Sequence, residues 1–277
     1  MKLIDMHVHT NASDGVLSPE KVIRRAIRNG LSGIAITDHD TVTGALSVDL
    51  LNIPNNFTVI KGIEFSTIQN NKEIHILGYY LDIEDPKLKN LLTNIQKFRS
   101  DRIYKILEKL KRFNIVLEYQ EVQGEEPPES IGRPHVAKAL IKRGFARDIS
   151  EAFDRYLAKG RLAYVEHYKL ETKEAIDLIK DLGGFSVLAH PGLLSDRDIF
   201  SVLEKGIEGI EVYHPKHSRF ATTKLYELAK YRKLIITGGS DFHDFSSSKG
   251  NDIGSHTISI DRICIDEFLQ SPLSCSI

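Results

Sequence analysis

The chain has 277 residues, of which 41% are hydrophobic and 27% charged, with a formal net charge of −1 at pH 7. That is room for one large α/β domain, or one domain carrying an insertion, and it lacks the basic field of a broad duplex-DNA binder. A small nucleotide or a short single strand remains compatible with it. No run approaches the roughly 18 apolar residues that span a bilayer, and the opening MKLIDMHVHT turns polar too soon for a secretory signal. Two cysteines, Cys264 and Cys275, lack CxxC spacing and suit a reducing, cytoplasmic setting.

Taken in chain order, seven short apolar runs read as strands: 2–8, 33–38, 57–66, 73–82, 184–190, 206–213 and 233–241. Several are almost continuously apolar, as strands buried on both faces are. Ser18-Pro19-Glu20 opens a helix over 21–29 that Gly30 stops, Thr172 is placed to cap a helix over 172–182, and 222–231 leads into the last strand. This alternation predicts a parallel sheet, closed or open. The middle differs. A charged amphipathic helix is expected over 88–113, with Leu92, Ile95, Ile103, Ile106 and Leu110 on its apolar stripe. A loop at 124–128, helices over 135–143 and 150–158, and a strand at 162–165 follow it. The expected organisation is a barrel domain of 1–85 and 162–277 interrupted by a helical insertion subdomain, 86–161.

The chemistry-bearing residues fall at strand ends. His7 and His9 are two apart at the end of the first strand and so share a face. Asp14 follows in the next loop, Asp38 and His39 end the second strand, and Glu64 lies at the end of the third. His75 lies in the fourth strand, His190 ends the fifth, and Asp241 and His243 end the seventh. The C-terminal rim of a parallel sheet or barrel is where active sites form, and His75 is the exception in position. A single buried histidine is more often a hydrogen-bonded core residue than a ligand. Nine candidate ligands at or near strand ends, all of these but Asp38, are another matter. Together they suit divalent cations, and two such ions can clamp the attacking and leaving oxygens of phosphoryl transfer. There is no GxSxG elbow and no P-loop, so serine-hydrolase and nucleoside-triphosphatase chemistry find no support.

The motifs HVHTNASDG (7–15), ITDHDT (36–41), GIEFS (62–66), HILGY (75–79), LAHPG (188–192) and GGSDFH (238–243) resemble, in order and together, those of the PHP superfamily, the polymerase and histidinol-phosphatase group. The resemblance implies a distorted seven-stranded (β/α) barrel and a trinuclear centre holding two or three divalent ions (Mn²⁺, Fe²⁺ or Zn²⁺). It implies His7, His9, Glu64 and Asp241 on one ion, a bridging Glu64 with His75 and His190 on a second, and Asp14, His39 and His243 on a third. Glu64 and Asp241 would thereby be central to catalysis, which is expected to need no covalent enzyme nucleophile.

A barrel with a helical insert containing GRPH (132–135) resembles the PHP subfamily that converts 3′,5′-nucleoside bisphosphates to 5′-monophosphates and trims short 5′-phosphorylated RNA. Arg99, Arg102, Arg133 and His135 are then expected to hold a phosphate, since an Arg fork matches phosphate oxygens. For Arg99 and Arg102 a solvated helix face is an equal reading. Lys159 is a further candidate for the phosphate pocket. His217, in YHPKHS (213–218), is placed to touch the scissile phosphate or protonate the leaving oxygen, with His214 a lesser competitor. His167 and His256 read as structural or exposed. Three alternatives stand beside this: a histidinol-phosphate or sugar phosphatase on the same barrel, a binuclear amidohydrolase-like enzyme, which has no need of Asp14, His39 and His243, and a non-catalytic metal-binding module. Oligomeric state is not encoded in any visible pattern.

Overall fold

A computed structural model describes residues 2–168, 170–244 and 252–259 of the chain. Cys264 and Cys275 lie outside the described residues. All seven expected strands are present: β1 (Leu3–Val8), β2 (Gly33–Ile36), β3 (Thr58–Gln69), β4 (Lys72–Tyr79), β5 (Phe185–Leu188), β6 (Gly209–Tyr213) and β7 (Ile235–Gly238). A two-residue strand with no sequence signal, β8 (Ile258–Ser259), pairs antiparallel with β1. The order across the sheet is β7-β6-β5-β4-β3-β2-β1-β8. Backbone just beyond β7 returns to β1, where Asp241 N donates to His7 O at 2.9 Å and His9 N to Phe242 O at 3.1 Å. The sheet therefore bends into a nearly closed barrel.

The expected parallel pairing holds for β1–β2, β2–β3, β5–β6 and β6–β7, but β4 runs antiparallel to both β3 and β5. The cause is two residues long. Asn70 and Asn71 take φ values of 51° and 61°, the left-handed pair that a two-residue hairpin needs to match the twist of its strands, and asparagine tolerates that conformation. Both strands extend beyond their expected ends to meet at this turn.

Nine α-helices occur among the described residues: α1 (Pro19–Arg28), α2 (Thr43–Ser47), α3 (Pro86–Lys111), α4 (Tyr119–Gln123), α5 (Arg133–Lys142), α6 (Ile149–Ala152), α7 (Thr172–Asp181), α8 (Asp196–Leu203) and α9 (Arg219–Arg232). Three local expectations change. The helix over 150–158 becomes one turn, α6, followed by a π-helical turn, Phe153–Leu157. Residues 162–165 form turns and loop rather than a strand. Glu171, not Thr172, caps α7 in a reciprocal box with Glu174, because the Thr172 hydroxyl is taken by Thr67 at 2.8 Å.

Packing follows from these elements. A cluster drawn from strands and their ends, including Met6, Ile60, Leu77 and Val187, fills the barrel. A larger one packs the strands against helices through Val22, Ile176, Val202 and Leu225, and takes Leu88, Leu92 and Ile95 from the first half of α3. The second half of α3 turns Ile103, Ile106 and Leu110 into a separate cluster with Val136, Leu140 and Leu157. Each such aliphatic side chain contributes about 1.5–3 kcal/mol by leaving water, so α3 is anchored in two cores at once. Among the described residues no helix is long and apolar enough to cross a membrane.

Candidate active site

Because β4 is reversed, its early residue His75 sits on the same rim as the ends of the parallel strands, opposite Ser66 in register. That accounts for the one misplaced residue of the sequence pattern. Five imidazole nitrogens, from His7, His9, His39, His75 and His190, approach the two Glu64 carboxylate oxygens at 3.0–3.2 Å. Asp241 Oδ1 lies 3.4–3.5 Å from nitrogens of His7, His9 and His243. Asp14 Oδ1 is 3.2 Å from His243 Nε2 and 3.8 Å from His9 Nδ1. All nine expected side chains thus converge. Donor atoms fall within 4.8 Å of one another in three sets: His7, His9, Glu64 and Asp241; His39, Glu64 and His75; and His9, Asp14, His39 and His243. His39, rather than His190, groups with Glu64 and His75, and His9 faces two sets.

Residues behind the cluster aim it. Glu211, inside β6, takes His7 Nδ1 at 3.1 Å on one oxygen and the His190 backbone N–H at 2.7 Å on the other. Holding Nδ1 as a donor turns His7 Nε2 into the cluster as an acceptor, the usual job of an outer carboxylate. The strand for which the sequence pattern named no ligand therefore supplies this support; its signal was a glutamate between Ile210 and Val212 in an apolar run. His214 accepts from Lys216 N at 3.1 Å on Nδ1, so its Nε2–H donates to Asp241 Oδ2 at 3.3 Å. It positions Asp241. Asp38 joins none of the three sets: it accepts from Thr10 N and Oγ1 at 2.7 Å each and from Ser13 Oγ at 2.6 Å, pinning the loop that carries Asp14. His190 and Asp241 turn inward from strand ends with φ of 32° and 50°, strain that persists only where surrounding contacts impose it.

The donor set fits divalent cations. His9 Nδ1 and His39 Nδ1 are buried and make no aligned hydrogen bond, although a Glu64 oxygen stands 3.2 Å from the second, and His7 Nε2 faces His9 Nε2 at 3.1 Å. Lone pairs crowded in this way need a cation between them, since buried polar atoms are otherwise paired. Charge coupling is strong. Burial opposes ionisation of Glu64 and Asp241, but His39 and His7 beside the first, and His243 and His7 beside the second, hold both well below the usual carboxylate range. Burial likewise opposes charging of His75, yet Glu64 and Glu73 raise it to about 10. His9 rises to about 9 against its burial because Asp241 and Glu64 bond it. Burial wins at His39, which falls to about 3.

A cavity of about 440 Å³ opens on this cluster. Arg99, Arg102, Arg133 and Lys138 also line it. Arg99 is buried, pairs with Asp40 and donates to Ser66 Oγ at 3.0 Å and Ile131 O at 3.2 Å. Arg102 donates twice to Val165 O, at 3.0 and 2.8 Å. Arg133 reaches Glu73 Oε2 at 2.7 Å, and Lys138 the Asp14 carbonyl at 3.0 Å. Arg99 and Arg102 are therefore not a solvated helix face.

Three expected residues lie elsewhere. His135 has both ring nitrogens on backbone, with Gly132 N–H donating to Nδ1 and Ser13 O against Nε2, each at 3.1 Å. Lys159 donates to Asn71 O at 2.8 Å, outside the cavity lining. His217 is spanned by Val212 O at 2.9 Å and Gly192 N at 3.0 Å, which leaves neither nitrogen for a phosphate. Conversely His167, read as structural or exposed, is buried and on the cavity wall; burial and the adjacent Arg99 press it down to about 4. His256 is accounted for by Ser255 Oγ at 3.3 Å.

Comparison with known proteins agrees with this geometry. The PHP domain family model matches residues 5–184. The chain is 34% identical over 250 residues to the 5′-3′ exoribonuclease Rnm of Escherichia coli (strain K12), covering 87% of this chain and 85% of that protein. It is 31% identical over 271 residues to a 3′,5′-nucleoside bisphosphate phosphatase of Chromobacterium violaceum, covering 95% and 94%. A crystal structure from Bifidobacterium adolescentis, described as a candidate metal-dependent phosphoesterase, superposes with a TM-score of 0.84 at 28% identity, covering 96% and 95%. With a barrel rim that gathers imidazoles and carboxylates around Glu64, and with relatives matched over most of their length, the chain belongs to the PHP family of metal-dependent phosphoesterases, hydrolases that act on phosphate esters.

Proposed function

We propose that the chain hydrolyses the 3′-phosphate of a nucleoside 3′,5′-bisphosphate, leaving the 5′-monophosphate, and trims short 5′-phosphorylated RNA with the same machinery. The observation that carries this reading is one cavity lined both by the His–Asp–Glu cluster and by Arg99, Arg102, Arg133 and Lys138. Such a cavity has a place for a reacting phosphate and a second set of cations for another, which a monophosphate substrate would not use. The names of the exoribonuclease and bisphosphate phosphatase relatives support it. In this reading 86–161 is a subdomain set on the barrel of 1–85 and 162–277, supplying most of the cationic wall.

Two or three divalent ions, Mn²⁺, Fe²⁺ or Zn²⁺, would be held by His7, His9, Glu64 and Asp241, by Glu64 and His75 with His39 and His190, and by Asp14, His39 and His243 with His9. Bound there, such ions polarise phosphoryl oxygens and lower the pKa of water. The chain's own groups do the rest. Arg99, Arg102 and Arg133 neutralise charge on non-bridging oxygens from fixed positions, so little reorganisation is needed as that charge grows. Lys216, 3.3 Å from Asp241 Oδ2 and also on the cavity wall, brings an ammonium to the edge of the cluster. Glu211 and His214 hold His7 and Asp241 against rotation. Among the described residues lining the cavity, Ser66 alone carries a hydroxyl, and it accepts from Arg99.

The test is a substrate panel on protein reconstituted with each metal in turn: adenosine 3′,5′-bisphosphate, a 5′-phosphorylated oligoribonucleotide and histidinol phosphate. Release of phosphate from the bisphosphate, leaving AMP, is expected. Activity confined to histidinol phosphate or sugar phosphates would overturn the reading in favour of the other phosphatase, and inactivity with all three metals in favour of a binding module.

A further inference from the structure

The cavity has a second character that phosphate chemistry does not use. Four of its lining residues, Pro134, Ile149, Phe153 and Leu193, carry no polar side-chain atom. Phe153 and Ile149 are half-buried, packed at the back against the helical core while also lining the cavity. Phe153 opens the π-helical turn Phe153–Leu157, a rare backbone form that concentrates at functional sites. Its ring lies under the Arg133 guanidinium, 5.4 Å from ring centroid to Cζ. Arg133 in turn bonds Glu73 at 2.7 Å, and the other Glu73 oxygen stands 3.4 Å from His75 Nε2. The aromatic ring is thus joined to the His–Asp–Glu cluster through two charged side chains. Leu193, three residues after His190, is 54% exposed, an unusual place for a leucine beside a charged cavity.

We propose that Phe153, with Ile149, Pro134 and Leu193 as the other apolar residues of the same cavity lining, is a stacking shelf for the base of a nucleotide, and that it recognises the face of the base and not its edge. This rests on the nucleotide reading above and adds the part of the substrate that the metals and cations do not touch. A nucleotide is charged at its phosphates and apolar on the face of its base. The cavity lining holds both kinds of group, cations and a set of aromatic and aliphatic side chains, with the Arg133 guanidinium and the Phe153 ring in contact. Phenylalanine and a planar guanidinium both stack on bases. The four shelf residues offer no donor or acceptor, so hydrogen-bonded reading of the base edge, the usual source of strong discrimination, is absent from the shelf. The enzyme then separates nucleotides from sugar phosphates while accepting any of the four bases.

The experiment is calorimetric binding to the metal-loaded protein of AMP and of ribose 5-phosphate, which differ by the base. Base–aromatic stacking is worth about 1–3 kcal/mol, so wild type is expected to bind AMP about tenfold or more tightly than ribose 5-phosphate. GMP, CMP and UMP should fall within about tenfold of AMP, as stacking is tolerant of sequence. Phe153→Ala should bring the AMP-to-ribose-phosphate ratio close to one, AMP losing more than ribose 5-phosphate whatever the lost Arg133 contact costs both, and Phe153→Trp should keep the ratio. Equal binding of the two ligands by wild type, no binding of either, persistence of the ratio in Phe153→Ala, or an equal weakening of both ligands would each overturn the shelf. Because binding is read without turnover, a failure of the bisphosphatase assay with the ratio intact would remove the proposed reaction and leave the shelf standing.

Discussion

Glu64 is the residue on which the site turns, since two carboxylate oxygens receive five imidazoles. Asp241 is comparable, shared between His7, His9 and His243 on one oxygen and His214 and Lys216 on the other. Asp241→Asn removes a charge while keeping the shape, and kcat should fall by more than about 100-fold, with metal content per chain reduced in elemental analysis. Glu211→Gln keeps the hydrogen-bond length but no longer forces His7 into one tautomer, and a loss of about 10–100-fold in kcat/KM is expected. Near-normal activity of Glu211→Gln would reduce it to a packing residue. Protons compete with metal at the same atoms. In the protein without metal, His75 and His9 are raised to about 10 and about 9, so both carry protons at pH 7, whereas His39, at about 3, does not. A raised pKa stabilises the protonated form below it. Metal binding at pH 7 must therefore release protons, and affinity should climb with pH up to about 10, by about tenfold per unit for each proton displaced, with both histidines contributing below about 9 and His75 alone above it. Calorimetry in two buffers of different ionisation enthalpy measures this, and a buffer-independent heat would contradict it.

Among the elements, the β3–β4 hairpin and helix α3 decide most. The hairpin reverses β4 and so delivers His75 to the rim. Its signal, Asn70-Asn71 between two β-branched runs, is legible once φ is considered, but strand–helix alternation elsewhere outweighs it in a reading by pattern. Helix α3 is tied to the barrel by the buried pair of Arg99 with Asp40, which also accepts from Ser66 N at 2.9 Å. Asp40 sits at φ 49°, a conformation asparagine accepts, so Asp40→Asn changes the charge with little change in backbone. It leaves a buried guanidinium without its counter-charge and should cost about 3 kcal/mol or more, read from urea denaturation; a loss under about 1 kcal/mol, the scale of a surface pair, would mean that water reaches Arg99. The periodic helices α1, α3, α5 and α7 were foreseeable to within a few residues. Helices α2, α4 and α8 and strand β8 were not, because short segments carry too few apolar repeats for a period to stand out.

Over the whole molecule, the helical residues from 103 to 163 have a core of their own beside the two cores of the barrel. Leu140 is fully buried in it, and Leu140→Ala should cost about 2–5 kcal/mol. Hydrogen exchange should accelerate first in α4, α5 and the second half of α3, with β1–β3 still protected; uniform acceleration would mean that the cores unfold as one. Residue order alone was enough for the family, through six ordered motifs that resemble it and imply its barrel, and for the alternating strands and helices, the helical segment and a set of His, Asp and Glu side chains that could hold metal, because motifs, periodicity and residue types are all local. Only the folded chain decided the direction of β4, the recruitment of Glu211 and His167, and the removal of His135, Lys159 and His217 from the cavity. Those outcomes depend on contacts between residues far apart in the chain: His7 and Glu211, 204 positions apart, select each other through a buried hydrogen bond. A histidine's two nitrogens look alike in a sequence, and the neighbour that occupies one of them decides what the other can do.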